Sequence, residues 1–561
     1  NLRPEEGDRT WLMFAFYTTT SIGLRWSEDS TVALFLDQYG AKSLPWIYIA
    51  SAIMGAVLVI LYSWLQKIFP LRRVIIAIAP CMFLPLVLFR IGLHVSYVSV
   101  CIIFLLRLWV DAFYVINDLN TSIAANQLFN IREIKRAFPL ISSGILVADV
   151  ISGFSLPFLL LFVGLDNVIM PIAGVFIGLG AFILFYLSKN YPQAFPDTPQ
   201  IEIEATQYSQ KRRLFGPIKR YAWLLFAFFA LLQAMGVLID FQYLTQLNSN
   251  FQGKDIASFL GLLGGITGLC ELGMQLFISS RALERFGVFY TAATLPVTVG
   301  LLMPLTIPLL GLLPQGNSYN LLWGLVILKF LDELLRYTFV VSSGPLLFQP
   351  IPDKIRSHVQ SLAGGVADAF GAGTAGFVIL FTLWLGRKLL PIHASILVLE
   401  TVLVALCCLV VIWFLRSRYI NLLVLSAGQG QLSATNADLR AFKQAVVKTL
   451  GEKGTETDKR SCIELLSQID PKGVGEVLAP LLVKLPPSLQ KPSLEVMLAA
   501  GVNPAYLPEI RTLLELPQNS VTPEVFALSL RYVWLAESDP DVNKLEKYLT
   551  EEHSIIRATA A

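Results

Sequence analysis

The chain has 561 residues, of which 55% are apolar and only 15% charged, well below the roughly 25% charged residues of soluble proteins. A mean hydropathy of +0.62 excludes a soluble globular enzyme, and a net charge of +3 spread over short clusters excludes a nucleic-acid partner. Five of the six cysteines sit in apolar runs (Cys81, Cys101, Cys270, Cys407, Cys408) without metal-ligand spacing, so they read as packing residues and no cofactor is expected.

Each helical crossing of a bilayer takes about 20 mostly apolar residues, because lipid offers the backbone no hydrogen-bond partner. In chain order such runs lie near 11–36, 45–66, 73–93, 97–127, 138–163, 168–188, 221–247, 255–280, 288–311, 319–348, 358–385 and 392–415. Twelve membrane helices are therefore expected. Lys and Arg near the helix ends set orientation. Alternate connections hold about 20 of them (Arg72 and Arg73, Lys135 and Arg136, Lys211 to Arg213, Arg281 and Arg285 among others) against about 4 on the other side (Lys42, Lys254, Arg387, Lys388). Both termini are expected to be cytoplasmic.

The longest connection, about 188–220, carries Pro192, Pro196 and Pro199 and separates the spans into six and six. The expected organisation is an N-terminal half (1–190), a linker (191–220), a C-terminal half (221–418) and a polar tail (419–561). Two six-span halves built from three-span repeats are the layout of major facilitator transporters. The fold class expected is all-α, a polytopic membrane protein of that type followed by a cytoplasmic α-solenoid. Spans one, four, seven and ten then line a central cavity.

A charge within a span survives only beside a partner or a water-filled cavity. Arg25, Glu28 and Asp29 lie on one face of span one, and Arg107, Asp111 and Asp118 form a stripe on span four. Asp240 stands on span seven; Lys329, Asp332, Glu333 and Arg336 form a stripe on span ten. These are the spans expected to surround the cavity. Arg25, Arg107, Lys329 and Arg336 are candidate substrate contacts, and the seven acids are candidates for coupling or gating. The alternative is that Arg25–Asp29, Arg107–Asp111 and Lys329–Glu333 are closed ion pairs that lock helices. Asp149, Glu271, Asp368 and Glu400 on other spans are weaker signals. Glycines on span eight (Gly261, Gly264, Gly265, Gly268, Gly273) and span eleven (Gly364, Gly365, Gly371, Gly373, Gly376) suit close, rocking or static, helix contacts.

Several segments resemble the nucleotide transporter family, the ATP/ADP antiporters of plastids and intracellular bacteria. Ala125-Asn126-Gln127 followed by Glu133-Ile134-Lys135-Arg136-Ala137-Phe138-Pro139-Leu140 is similar to that family's Ala-Asn-Gln then Glu-Ala-Lys-Arg-Phe-Tyr-Pro-Leu. Leu24-Arg25 before Asp29, Ser279-Ser280-Arg281 with Arg285-Phe286-Gly287, and Pro350-Ile351-Pro352 with Arg356 add to the likeness. The resemblance implies a transporter fold in a bacterial inner membrane or plastid-type membrane, and it makes Asn126 a further candidate substrate contact. Where the family places phosphate-binding lysines, this chain has Glu28 and Leu244, and Asp368 and Ala372 stand near the basic positions of span eleven. A polyphosphate needs several cations on leaving water. Nucleotide or another anion is thus one cargo the resemblance allows, and ATP/ADP exchange itself is not expected.

The tail shows an internal repeat: Glu464-Leu465-Leu466 to Asp470-Pro471, Met497-Leu498-Ala499 to Asn503-Pro504, and Trp534-Leu535-Ala536 to Asp539-Pro540. A second amphipathic helix follows each, near Val474–Leu485, Tyr506–Leu516 and Val542–Leu549. Paired helices at a period of about 33–36 residues indicate HEAT-like repeats. The last repeat ends on an apolar-faced helix start, so a regulatory domain or protein is expected at the repeats. The expected function is secondary transport of a small polar solute across the bilayer by alternating access; the alternative is a transporter-derived sensor that signals through the tail. No nucleophile with a neighbouring base argues for an enzyme.

Overall fold

A computed structural model describes residues 4–69, 71–93, 99–129, 131–165, 172–191, 216–305, 318–351, 359–360, 362–388, 393–428, 456–469, 473–515, 521–537 and 542–561, with single positions at 447 and 450. Among the described residues, twelve helices of 15 residues or more carry the apolar part: α1 (Pro4–Tyr39), α2 (Leu44–Ile68), α3 (Leu71–Leu93), α4 (Ser99–Leu128), α5 (Ile131–Phe162), α6 (Ala173–Asn190), α7 (Gly216–Asn250), α8 (Lys254–Met274), α9 (Val288–Leu302), α10 (Ser318–Leu335), α11 (Ala367–Lys388) and α12 (His393–Gly428). Most of the expected linker lies outside the described residues.

Among the described residues, nine helical stretches are long and apolar enough to cross a membrane: those of α2, α4 to α9, α11 and α12. The chain is a multi-pass membrane protein. Of the other three expected spans, α1 and α10 fall short because their charged faces (Arg25, Glu28 and Asp29; Lys329, Asp332 and Glu333) lower their hydropathy, and for α3 the described apolar stretch is Leu84–Leu93, since many of its earlier side chains lie outside the described residues.

The two groups of six pack in one pattern. α1 runs against α4, α5 and α6, and α7 runs against α10, α11 and α12. The turns that leave α1 and α7 are also alike: Gly40 at φ 70° and Gly253 at φ 51° take a backbone conformation that a Cβ disfavours. The groups meet along α5 with α8 and α2 with α11. At the first of these crossings Gly153 faces Gly265, and a Cβ on Gly153 would stand 2.3 Å from the Gly265 backbone nitrogen. A Cβ on Gly376 of α11 would meet the Pro45 carbonyl of α2 at 3.0 Å. Other glycines of the two faces, Gly273, Gly364 and Gly365, have open space around them. Cys101 and Cys407 are exposed on their helices instead of packing, while Cys408 is buried.

Polar hooks tie helices within each group. The Trp26 indole of α1 donates to the Ser152 carbonyl and the Ser155 hydroxyl of α5, both at 3.1 Å. Gln242 Nε2 of α7 donates to Thr401 Oγ1 of α12 at 3.1 Å. Such bonds hold helices where lipid supplies no hydrophobic drive between them.

The tail contains α13 (Glu456–Ile469), α14 (Pro487–Ala500), α15 (Leu507–Glu515), α16 (Pro523–Ala536), α17 (Val542–Leu549) and α18 (Ser554–Ala560). α13, α14 and α16 pack one on the next, and α15 packs on α16. Asn503 opens the turn before α15: its side chain accepts from Ala505 N at 3.0 Å, and its own backbone N–H donates to Tyr532 OH at 2.9 Å. The Asp-Pro pairs 470–471 and 539–540 lie outside the described residues. α13 also packs against α12, with Leu422, Ile463 and Leu466 buried.

Candidate substrate cavity

A cavity of about 90 Å³ lies where α1, α2, α4, α7, α8 and α10 converge. Its charged lining comprises Arg25, Glu28 and Asp29 from α1, Arg107 from α4, Asp240 from α7, and Lys329 and Glu333 from α10. Tyr48 and Tyr243 add hydroxyls, and Val32, Leu44, Ile47, Leu244, Leu260 and Leu263 supply apolar wall. At the end nearest the α1–α2 turn, Ala41–Ser43 pack against α7, so the two groups meet there.

Every cation of the lining is already paired. Arg25 reaches Glu28 at 2.9 Å and, through Nε, Asp149 of α5 at 3.1 Å. Its expected partner Asp29 is bypassed: Asp29 is 8% exposed and has no ion pair or hydrogen bond among the described residues. Arg107 pairs with Asp111, whose other oxygen accepts from Ser51 Oγ of α2 at 2.5 Å. Lys329 lies 2.9 Å from Asp240 and 3.1 Å from Glu333. Tyr48 OH donates to the second oxygen of Asp240 at 2.9 Å, which links α2 to α7 across the two groups.

Of the twelve residues selected from sequence, the seven charged ones named above as lining converge on one space. Four others lie away from it. Arg336 pairs with Asp332 at 2.8 Å and donates to the Leu232 carbonyl of α7 at 3.0 Å, a clasp between α10 and α7. Asp111 stands behind Arg107, and Asp118 accepts from Tyr17 OH of α1 at 2.9 Å. Asn126 lies in α4, and its side chain falls outside the described residues. The sequence reading missed Tyr48 and Tyr243, and also Tyr114, which hydrogen-bonds Glu28. A tyrosine in an apolar span is an ordinary packing residue, so nothing in the sequence marks these three.

The cavity has no arrangement of nucleophile and base. It offers three cations matched or exceeded by acids, with hydroxyl donors between them, enclosed at one end by apolar side chains. That is a place where a small polar molecule can exchange hydration for protein contacts.

No family model matches the chain, and no curated protein matches it. Among solved structures it is similar to a peptide transporter of the POT family in complex with sulfate, at 12% identity and a TM-score of 0.52, covering 73% of this chain and 94% of that one. A bacterial homologue of the iron transporter ferroportin in an inward-facing state matches at 14% identity and a TM-score of 0.52, over 74% of this chain and 99% of that one. A POT family transporter solved in meso matches at 14% identity and the same TM-score, over 75% and 99%. At such identities the likeness is one of fold: over about three quarters of its length the chain has the major facilitator fold of these transporters.

Proposed function

We propose that the chain is a secondary transporter that carries a small polar solute by alternating access, the two six-helix halves rocking about the central cavity. The observation that carries this reading is the cavity itself: charged side chains of α1, α4, α7 and α10, the first helix of each three-span repeat, lie around one space at the boundary of the halves. The Lys/Arg asymmetry supports twelve spans with both termini and the 188–220 connection in the cytoplasm. A cysteine replacing Gln200 is then protected from an impermeant maleimide added outside, and labelling from outside rejects that topology.

The charge balance narrows the cargo. In spans one, four, seven and ten, four bases (Arg25, Arg107, Lys329, Arg336) face seven acids, and the bases of the lining are engaged. A polyphosphate brings further negative charge into this balance, whereas a zwitterion, a singly charged anion or a cation-accompanied solute does not. The kinship with nucleotide antiporters is thus one of architecture, and the tail is a HEAT-like regulatory module. The test is solute flux into liposomes holding the purified chain. Saturable accumulation of a labelled zwitterion supports the reading, and binding without accumulation rejects it. That second outcome favours a sensor, for which the packing of α13 on α12 supplies the connection to the tail.

A further inference from the structure

Beside the cavity lies a carboxyl group that cargo binding does not use. Glu271 of α8 is 3% exposed, and among the described residues it forms no hydrogen bond or ion pair. The charged and titratable groups facing it come from each helix packed on α8. They are Asp149 of α5, Arg25 of α1 with Glu28 and Asp29 beside it, and Glu333 and Tyr337 on the α10 side. Gly268, one turn earlier, brings the α8 backbone onto α5: a Cβ there would stand 2.9 Å from Asp149 Cβ. Glu271 thus stands one turn beyond a close contact of α8 with Asp149, whose charge acts on it across the boundary between the halves.

The nearby cations are committed. Arg25 serves Glu28 and Asp149, and Lys329 serves Asp240 and Glu333. Four carboxylates share two cations before Glu271 is counted. With Asp29, itself unpartnered among the described residues, that makes five, and a sixth bare carboxylate, removed from bulk water and given no donor, is strongly disfavoured. Either a proton or a metal cation can offset that charge, and a metal cation needs several ligands at once. Among the described residues no group of three or more His, Cys, Asp or Glu side chains is arranged to hold one.

We propose that Glu271 is a proton-binding site at the boundary of the halves, with Asp149 as its exchange partner. Glu271 holds the proton as a neutral acid, and Asp149, held by Arg25, is the acceptor it reaches when α8 shifts against α5. The O–H bond on Glu271 breaks as one forms on Asp149 or on cavity water, and the proton is the only species passed. Its purpose, coupling to cargo movement, rests on the transport reading; the site itself is testable without cargo.

Infrared difference spectroscopy of the purified full chain reads the C=O stretch of protonated carboxyls. The wild type is expected to keep such a band at neutral pH, Glu271→Gln to lose the component that Glu271 contributes, still present in Asp29→Asn, and Asp149→Asn to shift that component. Glu271→Asp, which retains a carboxyl in an altered position and so moves the band, serves if the Gln variant does not fold. An unchanged band in a folded Glu271→Gln, shown by its circular dichroism, overturns the proposal. So does a band that disappears when sodium or potassium replaces choline at constant pH, since the site then belongs to an alkali cation. The expected band together with binding but no accumulation of a labelled zwitterion in liposomes, with or without a pH gradient, upholds the proton site and removes the transport reading instead.

Discussion

Tyr48 of α2 and Asp240 of α7 are joined by a 2.9 Å hydrogen bond that crosses from one half of the protein to the other. The remaining oxygen of Asp240 holds Lys329 at 2.9 Å, so one carboxylate serves both as inter-half link and as counter-ion to the cavity lysine. Opening that end of the cavity breaks the first contact and leaves the second intact.

Tyr48→Phe removes the link while preserving the ring. At about 1 kcal/mol for one such bond, the population open at the α1–α2 end rises about five-fold. In a chain otherwise free of cysteine, Leu260→Cys is expected to react correspondingly faster with a soluble maleimide from that side. An unchanged labelling rate shows that the hydrogen bond does not hold the halves together.

Lys329→Met leaves Asp240 and Glu333 without their cation. Breaking a largely buried pair of this kind costs about 3–5 kcal/mol, so thermal unfolding in detergent is expected at a distinctly lower temperature. Adding Asp240→Asn removes one uncompensated charge and recovers part of the loss. Equal unfolding temperatures for the wild type and Lys329→Met contradict the pairing.

At the α5–α8 crossing the tolerance for side chains is nil. A Cβ on Gly153 meets backbone atoms of Gly265 and Gly261 within 2.5 Å, while one on Gly178 meets nothing within 4 Å. Gly153→Val is expected to abolish folded, monodisperse protein, and Gly178→Ala to leave its yield and elution profile unchanged. Normal behaviour of both variants means the helices do not cross at this distance.

ATP in metal-free buffer is expected to give no thermal stabilisation of the unmodified chain, because the cations it needs are occupied. Glu28→Lys frees Arg25 from one partner and adds a positive charge to the lining, so nucleotide stabilisation is expected to appear. A clear shift with ATP in the unmodified chain defeats the charge argument.

The legible part of the site was the part that carries charge. Arg25, Asp240 and Lys329 stand out because an ionised side chain in a span needs a reason, and the repeat positions of their helices place them around one axis. Their partners were less visible. Arg25 sits four residues from Asp29 and three from Glu28, and helix spacing allows either; the approach of α5, which brings Asp149 to the guanidinium Nε, is a tertiary fact. Tyr48, Tyr114 and Tyr243 are equally hidden, since a phenol in an apolar run reads the same whether it packs or donates. Arg336 and Asp332 show the opposite error source: the right stripe on α10, turned by one further step of the helix toward the Leu232 carbonyl instead of the cavity.

α12 is 36 residues long, which at 1.5 Å per residue is about 54 Å, against about 30 Å of hydrocarbon. Its surplus therefore stands clear of the lipid as a rigid rod, and α13 is clamped to it. A small tilt of the C-terminal half is magnified along that rod into a larger sweep of the tail. A fluorophore on α16 would thus act as a pointer, reporting any such tilt as displacement of the tail.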